Sequence, residues 1–253
     1  MTITTKYSEE IVRTIVQAIN RAVSVDIPVA YSENNRATHN CFGAMRVDVI
    51  NDNLVLMLTQ PGIKVHRFKR HSWEVLMILD TNTSTAFFVF SERNLQNIPK
   101  KKDRTCPHYL QTCLHVFHEG YEGKCVQQSF LPIIDEFDEA TYEEDAEMIL
   151  NDVIESLDDW HLYAIAYNYS GIELTNATLY FLSPRFEEID KKDLGKYIIP
   201  NYAASIKQID APSPTPKQDE SADTLIKVKP KARPASEAEM NPTVKPNEYS
   251  AIS

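Results

Sequence analysis

Apolar residues recur at helical spacing from Ser8 to Val25, with Ile11, Ile15, Ala18, Ile19 and Ala22 on one face. Ser8, followed by Glu9 and Glu10, supplies an N-cap and a first turn matched to the helix dipole, so a helix is predicted here. Ile27 to Asn40 is polar and interrupted by Pro28 and paired asparagines, and reads as a loop. Three hairpins follow in the pattern. Phe42 to Ile50 and Leu54 to Thr59 flank Asn51, Asp52 and Asn53, residues that tolerate the positive φ of tight turns. Glu74 to Asp80 and Thr85 to Ser91 flank Thr81 to Ser84; both are apolar on two faces, which places them mid-sheet with Leu76 and Phe88 in the core. Leu162 to Tyr169 and Leu174 to Leu182 flank Ser170 and Gly171.

Two helices are expected between the second and third hairpins. Pro107 suits the first position of Pro107 to Glu119, and Ala146, Ile149, Leu150, Val153, Ile154 and Leu157 form the stripe of Tyr142 to Leu157. The order is helix, four strands, two helices, two strands and short closing helices. It predicts an α+β fold with a largely antiparallel sheet of about six strands, three hairpins packed with helices, and not the alternation of a doubly wound fold. The pattern ends near Asp210. Residues 211–253 hold seven of the fourteen prolines, a single aromatic residue, Tyr249, and six basic residues against six acids. Such a segment buries too little apolar surface to offset its conformational entropy. A globular domain over residues 1–210 and a disordered, proline-rich tail over 211–253 are therefore predicted.

Composition narrows the setting. At 253 residues, 43% hydrophobic, the chain has enough apolar material for a core without disulfides or a structural metal. The four cysteines, Cys41, Cys106, Cys113 and Cys125, have no CxxC spacing and no apolar leader follows the polar start, so a cytoplasmic location is expected. Apolar runs such as Val75 to Leu79 are far below the roughly 18 residues of a membrane span. The net charge of −10 opposes nonspecific binding to nucleic acid unless basic groups are segregated. They are: Gly62 to Pro107 holds nine Lys or Arg against four acids, whereas Cys125 to Pro184 holds thirteen acids and no Lys or Arg.

The stretch from Arg46 through Trp73 to Ser91, the His108, Tyr109, Leu110 helix start and the Asp193, Leu194, Tyr197, Ile198 ending together resemble an uncharacterised bacterial and phage family, a domain of unknown function. The resemblance covers roughly Glu9 to Ile199, leaves out the tail, and implies no activity and no catalytic residues.

Several constellations carry candidate chemistry. If the second hairpin is registered by its Thr81 to Ser84 turn, opposed residue numbers sum to 165 and Ser72 faces Arg93. Arg67, Lys69, Arg70, Arg93, Lys100, Lys101, Lys102 and Arg104 would then gather at one end of the sheet as an anion or partner site; the alternative is solubilising charge on two loops. His66 and His71 are the acid and base to test if the protein is an enzyme, because histidine titrates near neutrality. In the same register Asp80 and Glu92 lie roughly 23 Å apart at 3.3 Å per residue, too far to share a metal. Cys106, His108, Cys113, His115, His118 and Cys125 lack paired zinc spacing, so no metal and no cofactor is expected; the three histidines are placed on the solvent side of their helix and Cys113 inside. Tyr163, Tyr167 and Tyr169 read as core packing, since they lie within sixty residues of sequence that hold no Lys or Arg to meet phosphates. The acidic run Asp135 to Asp159 reads as a solvated helix face, or as a dock for a basic partner. In the tail, Leu225, Ile226 and Val228 are the most concentrated apolar residues and could add a strand to a sheet edge.

The expectation is a noncatalytic interaction protein of a phage or bacterial conflict system, its partner another protein, with nucleic acid admitted at the basic patch and no membrane. The alternative is a toxin-like enzyme acting on RNA or a nucleotide.

Overall fold

The computed structural model describes residues 6–33, 40, 42–121, 136–150, 153–154, 157, 159–200 and 202. Helix α1 (Glu9–Arg21) starts as expected: Ser8 is extended and its Oγ accepts the Ile11 amide at 3.4 Å. Its face of Ile11, Val12, Ile15, Val16 and Ile19 is buried. The helix does not stop at Val25. It passes through a π turn (Ala22–Asp26) into α2 (Ile27–Glu33), so the loop expected from Ile27 is helical as far as Glu33. Pro28 follows the π turn inside this continuous helix and has no N–H to bond to the preceding turn, a position at which helices bend or change their hydrogen-bonding step.

The first expected hairpin is also a helix. α3 (Phe42–Met57) runs straight through Asn51, Asp52 and Asn53. Ile50 and Leu54, with Leu58 just past its end, are buried at four-residue spacing, and α3 packs on α1. Asn53 is turned inward, its Nδ2 donating to Asp26 Oδ2 at 2.6 Å. Asn53 thus serves a helix interface and not a turn, because an inward partner removes its reason to bend the backbone.

Six strands form one sheet in the order β1 (Ile63–Arg70), β2 (Trp73–Asp80), β3 (Thr85–Ser91), β4 (His161–Ser170), β5 (Glu173–Leu182) and β6 (Glu188–Asp193). Neighbours are antiparallel except β3 and β4, a parallel pair joined by the chain through α4 (Glu92–Asn97), α5 (Tyr109–Phe117) and α6 (Glu139–Leu150). The fold is therefore α+β with a mostly antiparallel sheet. Strands β1 and β6 take the places assigned to Phe42 to Thr59. The charged run Lys64 to Arg70 is an edge strand, a position where lysine on the solvent side blocks further pairing.

The sheet lies between two apolar layers. Ile78, Phe87, Tyr163, Ile165 and Leu179 pack against α1 and α3, while Met77, Phe88, Ala164, Leu110, Leu114 and Ile149 form the layer shared with α5 and α6. Tyr163 and Tyr167 belong to the first layer, as the core reading of that stripe expected. α6 spans Glu139–Leu150 and ends before Val153, Ile154 and Leu157, which still pack against the second layer. Glu143, Glu144 and Glu147 are exposed, whereas Asp145 is buried. Phe88 is 1% exposed, so Phe88→Ala should cost about 3 to 5 kcal/mol in urea unfolding. Leu76, expected beside it in the core, is half-buried, and its truncation should cost clearly less. Equal losses would refute this ranking.

Candidate functional site

The second hairpin has the expected register, with Ile78 opposite Phe87, Leu79 opposite Ala86 and Asp80 opposite Thr85. The pairing stops there. Ser91 caps α4, its Oγ accepting the Asn94 amide at 3.3 Å, and turns the chain away, while β2 continues beside β1 to Trp73. Ser72 therefore does not face Arg93, which lies on α4. The two strands part, and the opening is a cleft of about 920 Å³. Arg70, His71 and Trp73 from the β1–β2 turn form one wall; Arg93 of α4 and the segment from Lys101 to Tyr109 form the other. Val47 and Ile50 of α3 and Tyr167 of β4 close it from the opposite face of the sheet.

The basic residues divide by strand parity. Arg70 turns into the protein, paired with Asp145 of α6 and donating through Nη2 to the Pro107 carbonyl at 2.7 Å. Arg104 also lines the cleft, with Nη2 donating to the Ile98 carbonyl at 2.6 Å. Arg93 and Lys101 are exposed and form no ion pair with a described residue. Lys100 and Lys102 are exposed in the same connection without lining the cleft. Arg67 and Lys69 project from the other face of β1 into a second cavity of about 500 Å³, beside Asp48, Asp52 and Glu74. Lys69 lies 3.8 Å from Glu74. Arg67 and Lys69 are therefore separated from Arg70 and Lys101, because successive residues of a strand face opposite ways.

The histidines separate as well. His66 Nε2 donates to the Ile149 carbonyl at 2.6 Å, tying β1 to α6. His71 is exposed in the cleft, with Nε2 3.7 Å from Cys106 Sγ. His108, expected on the solvent side, is the N-cap of α5: its Nδ1 accepts the Leu110 amide at 3.1 Å. Burial first, then the charges of Arg104, Arg70 and Lys101, hold it near a pKa of about 3, so it stays neutral. His118, expected outside, is fully buried; Nδ1 donates to the Leu182 carbonyl at 2.6 Å and Nε2 accepts the Leu162 amide at 3.0 Å. The helical wheel misplaced it because His118 is the C-cap of α5, where the wheel no longer holds. His115 is half-buried, 2.9 Å from Glu139. Cys113 is buried, as expected, and burial pushes its thiol up, away from ionisation. No group of three metal-binding side chains occurs among the described residues.

Asp80 is buried beside its turn, with Oδ1 accepting the Asn82 amide at 3.0 Å and Oδ2 the Thr83 hydroxyl at 2.7 Å; Glu92 accepts the Tyr180 hydroxyl at 3.0 Å. Sequence reasoning did not single out Trp73, Cys106 or Tyr109 for this site. Trp73 is brought to Cys106 and Tyr109 from a distant part of the chain, and no spacing signals that. Cys41, Cys125, the domain boundary at residue 210 and the tail strip Leu225, Ile226 and Val228 lie outside the described residues.

A family model described as "Family of unknown function (DUF5986)" matches residues 4–245. The chain belongs to this family. The DUF5986 match reaches beyond Glu9 to Ile199 at both ends and takes in most of the segment after residue 210, which the resemblance had left out. Comparison with curated proteins and with solved structures gave no match. Among the described residues, no helix is long and apolar enough to cross a membrane.

Proposed function

We propose that this DUF5986 protein is an interaction protein that receives an anionic group of its partner in the cleft between β2 and β3. One observation carries the reading: a 920 Å³ opening with Arg93 and Lys101 at its rim and the rings of Trp73 and Tyr109 on its walls. Pockets of several hundred cubic ångströms that combine apolar walls with a few convergent polar groups are the usual form of ligand sites. In its simplest version the protein catalyses nothing and its partner is another protein bearing an anionic segment. The flat rings favour a second version, in which the anion is a nucleotide, free or within RNA, stacked on an aromatic side chain. A cytoplasmic setting belongs to the same proposal and fits the free thiols of Cys106 and Cys113. A role in a conflict between phage and bacterium is carried only by the resemblance to phage proteins.

The test is equilibrium binding of ATP, a short single-stranded RNA and an acidic peptide at several salt concentrations. Arg93→Glu with Lys101→Glu should weaken the anion that binds by about tenfold or more, and for RNA should lower the salt slope by about 1.4. Unchanged affinity and slope for all three probes would remove the cleft from consideration. Arg70 is unsuited to this test, since its guanidinium is committed to Asp145 and Pro107.

A further inference from the structure

We propose that Cys106 and His71 form a nucleophile and general base that attack an acyl carbonyl of a ligand held in the cleft. The inference rests on the reading that the cleft takes a ligand, and it adds a chemical step to binding. The two side chains come from separate elements, the β1–β2 turn and the segment leading into α5, and meet with Nε2 3.7 Å from Sγ. That is hydrogen-bond range for sulfur, and it is the contact that nucleophilic catalysis by a thiol requires. Both residues line the cleft, His71 exposed and Cys106 half-exposed, so a ligand reaches the sulfur. Cys113 lacks that access, being wholly buried.

His71 occupies one of the two turn positions between Arg70 and Trp73 with φ 54°, a conformation free for glycine and strained for a residue with a β-carbon. Asp103, also on the cleft wall, has φ 59°. The positive φ at His71 is what a two-residue hairpin turn requires, and it fixes where the ring projects. The neighbouring His108 cannot serve as the base, because its Nδ1 is occupied by the Leu110 amide.

The step balances as follows. Cys106 gives its S–H proton to Nε2 of His71 as the S–C bond forms at the carbonyl carbon, and the bond to the leaving group breaks. The leaving group departs with that proton, which leaves a thioester on Cys106. Water then hydrolyses the thioester, releasing a carboxylic acid and restoring the thiol. Arg93 and Lys101 would hold an anionic substituent of the same ligand.

The full-length chain treated with p-nitrophenyl acetate should release p-nitrophenolate and carry acetyl on Cys106, read by peptide mass spectrometry. Cys106→Ser should abolish both signals. His71→Asn keeps a residue that tolerates positive φ, and should slow acylation by about tenfold or more with an unchanged melting temperature. Equal rates in the wild type and His71→Asn, or acetylation that bypasses Cys106, would overturn the pair. The ester is neutral, so the anion-binding titration is an independent measurement. A chain that binds anions and is not acylated at Cys106 loses the pair and keeps the cleft; one that is acylated there and binds no anion loses the anionic-ligand reading alone.

Discussion

Asp145→Ala is expected to lower the stability of the folded domain by about 3 to 5 kcal/mol, measured by chemical denaturation. Asp145 is 3% exposed on α6 and accepts from two sides, from Arg70 of β1 and from the hydroxyl of Thr112 on α5. Its removal leaves a guanidinium with 15% side-chain exposure without a counter-charge. An uncompensated charge in that position costs far more than the pair itself contributes, because the pair has already lost most of its hydration. Arg70→Met with Asp145→Leu should therefore recover a large part of the loss, by replacing two desolvated ions with apolar volume. A single-variant loss under about 1 kcal/mol would show that water reaches the pair. The consequence extends to the cleft. Through Nη2, Arg70 also holds the Pro107 carbonyl, so the variant should loosen the segment that carries Cys106.

A second large effect is expected from His118. It bridges two buried backbone groups, the Leu182 carbonyl and the Leu162 amide, and only the neutral ring protonated at Nδ1 can do both. Burial lowers its pKa to about 4 from the ordinary 6.5. In the unfolded chain the ring takes a proton as pH falls below 6.5, and in the folded protein it does so only near 4. Its contribution is thus complete above pH 6.5 and is lost as pH falls from 6.5 towards 4, in total about 3 kcal/mol. His108, held near 3, adds a loss of the same sign that continues down to about pH 3. Glu9 acts lower: its bonds to Lys192, Tyr197 and Lys196 hold it near 2, so its contribution fades as pH falls below about 4.5. His118→Ala should cost about 2 to 6 kcal/mol at pH 7, since two buried backbone groups lose their partners at about 1 to 3 kcal/mol each. The same variant should flatten the stability profile between pH 6.5 and 4.5. A profile identical to the wild type would mean that His118 carries its charge in the folded state.

Much of the fold is legible in the chain because the responsible interactions are local. Ser8 caps α1 from three residues away, and the turn-forming run Thr81 to Ser84 sets the register of β2 on β3. Gly171, with φ 59°, closes the third hairpin where the sequence places it. The failures share one cause. Asn51 to Asn53 have the composition of a turn, yet α3 continues through them because Leu54 and Ile50 gain burial against α1 and Asn53 finds Asp26. Lys64 to Arg70 has the charge of a loop, yet pairs along its whole length with β2 because the edge of a sheet accepts lysine and arginine on its wet side. In each case packing against a distant element outweighs a local preference worth about 1 kcal/mol.

The candidate site lies wholly on that second side. Residue order determines that Arg70, His71, Arg93, Lys101 and Cys106 exist within one basic stretch, and it determines the register that begins at Thr85. Only the tertiary structure decides that the register ends at Ile78 and Phe87, that Arg70 is drawn inward to Asp145, and that His71 meets Cys106 across the opening. The reason is physical: a strand's partners and a charge's neighbours depend on where α4 and α6 settle, and hydrophobic burial sets those positions without regard to distance along the chain.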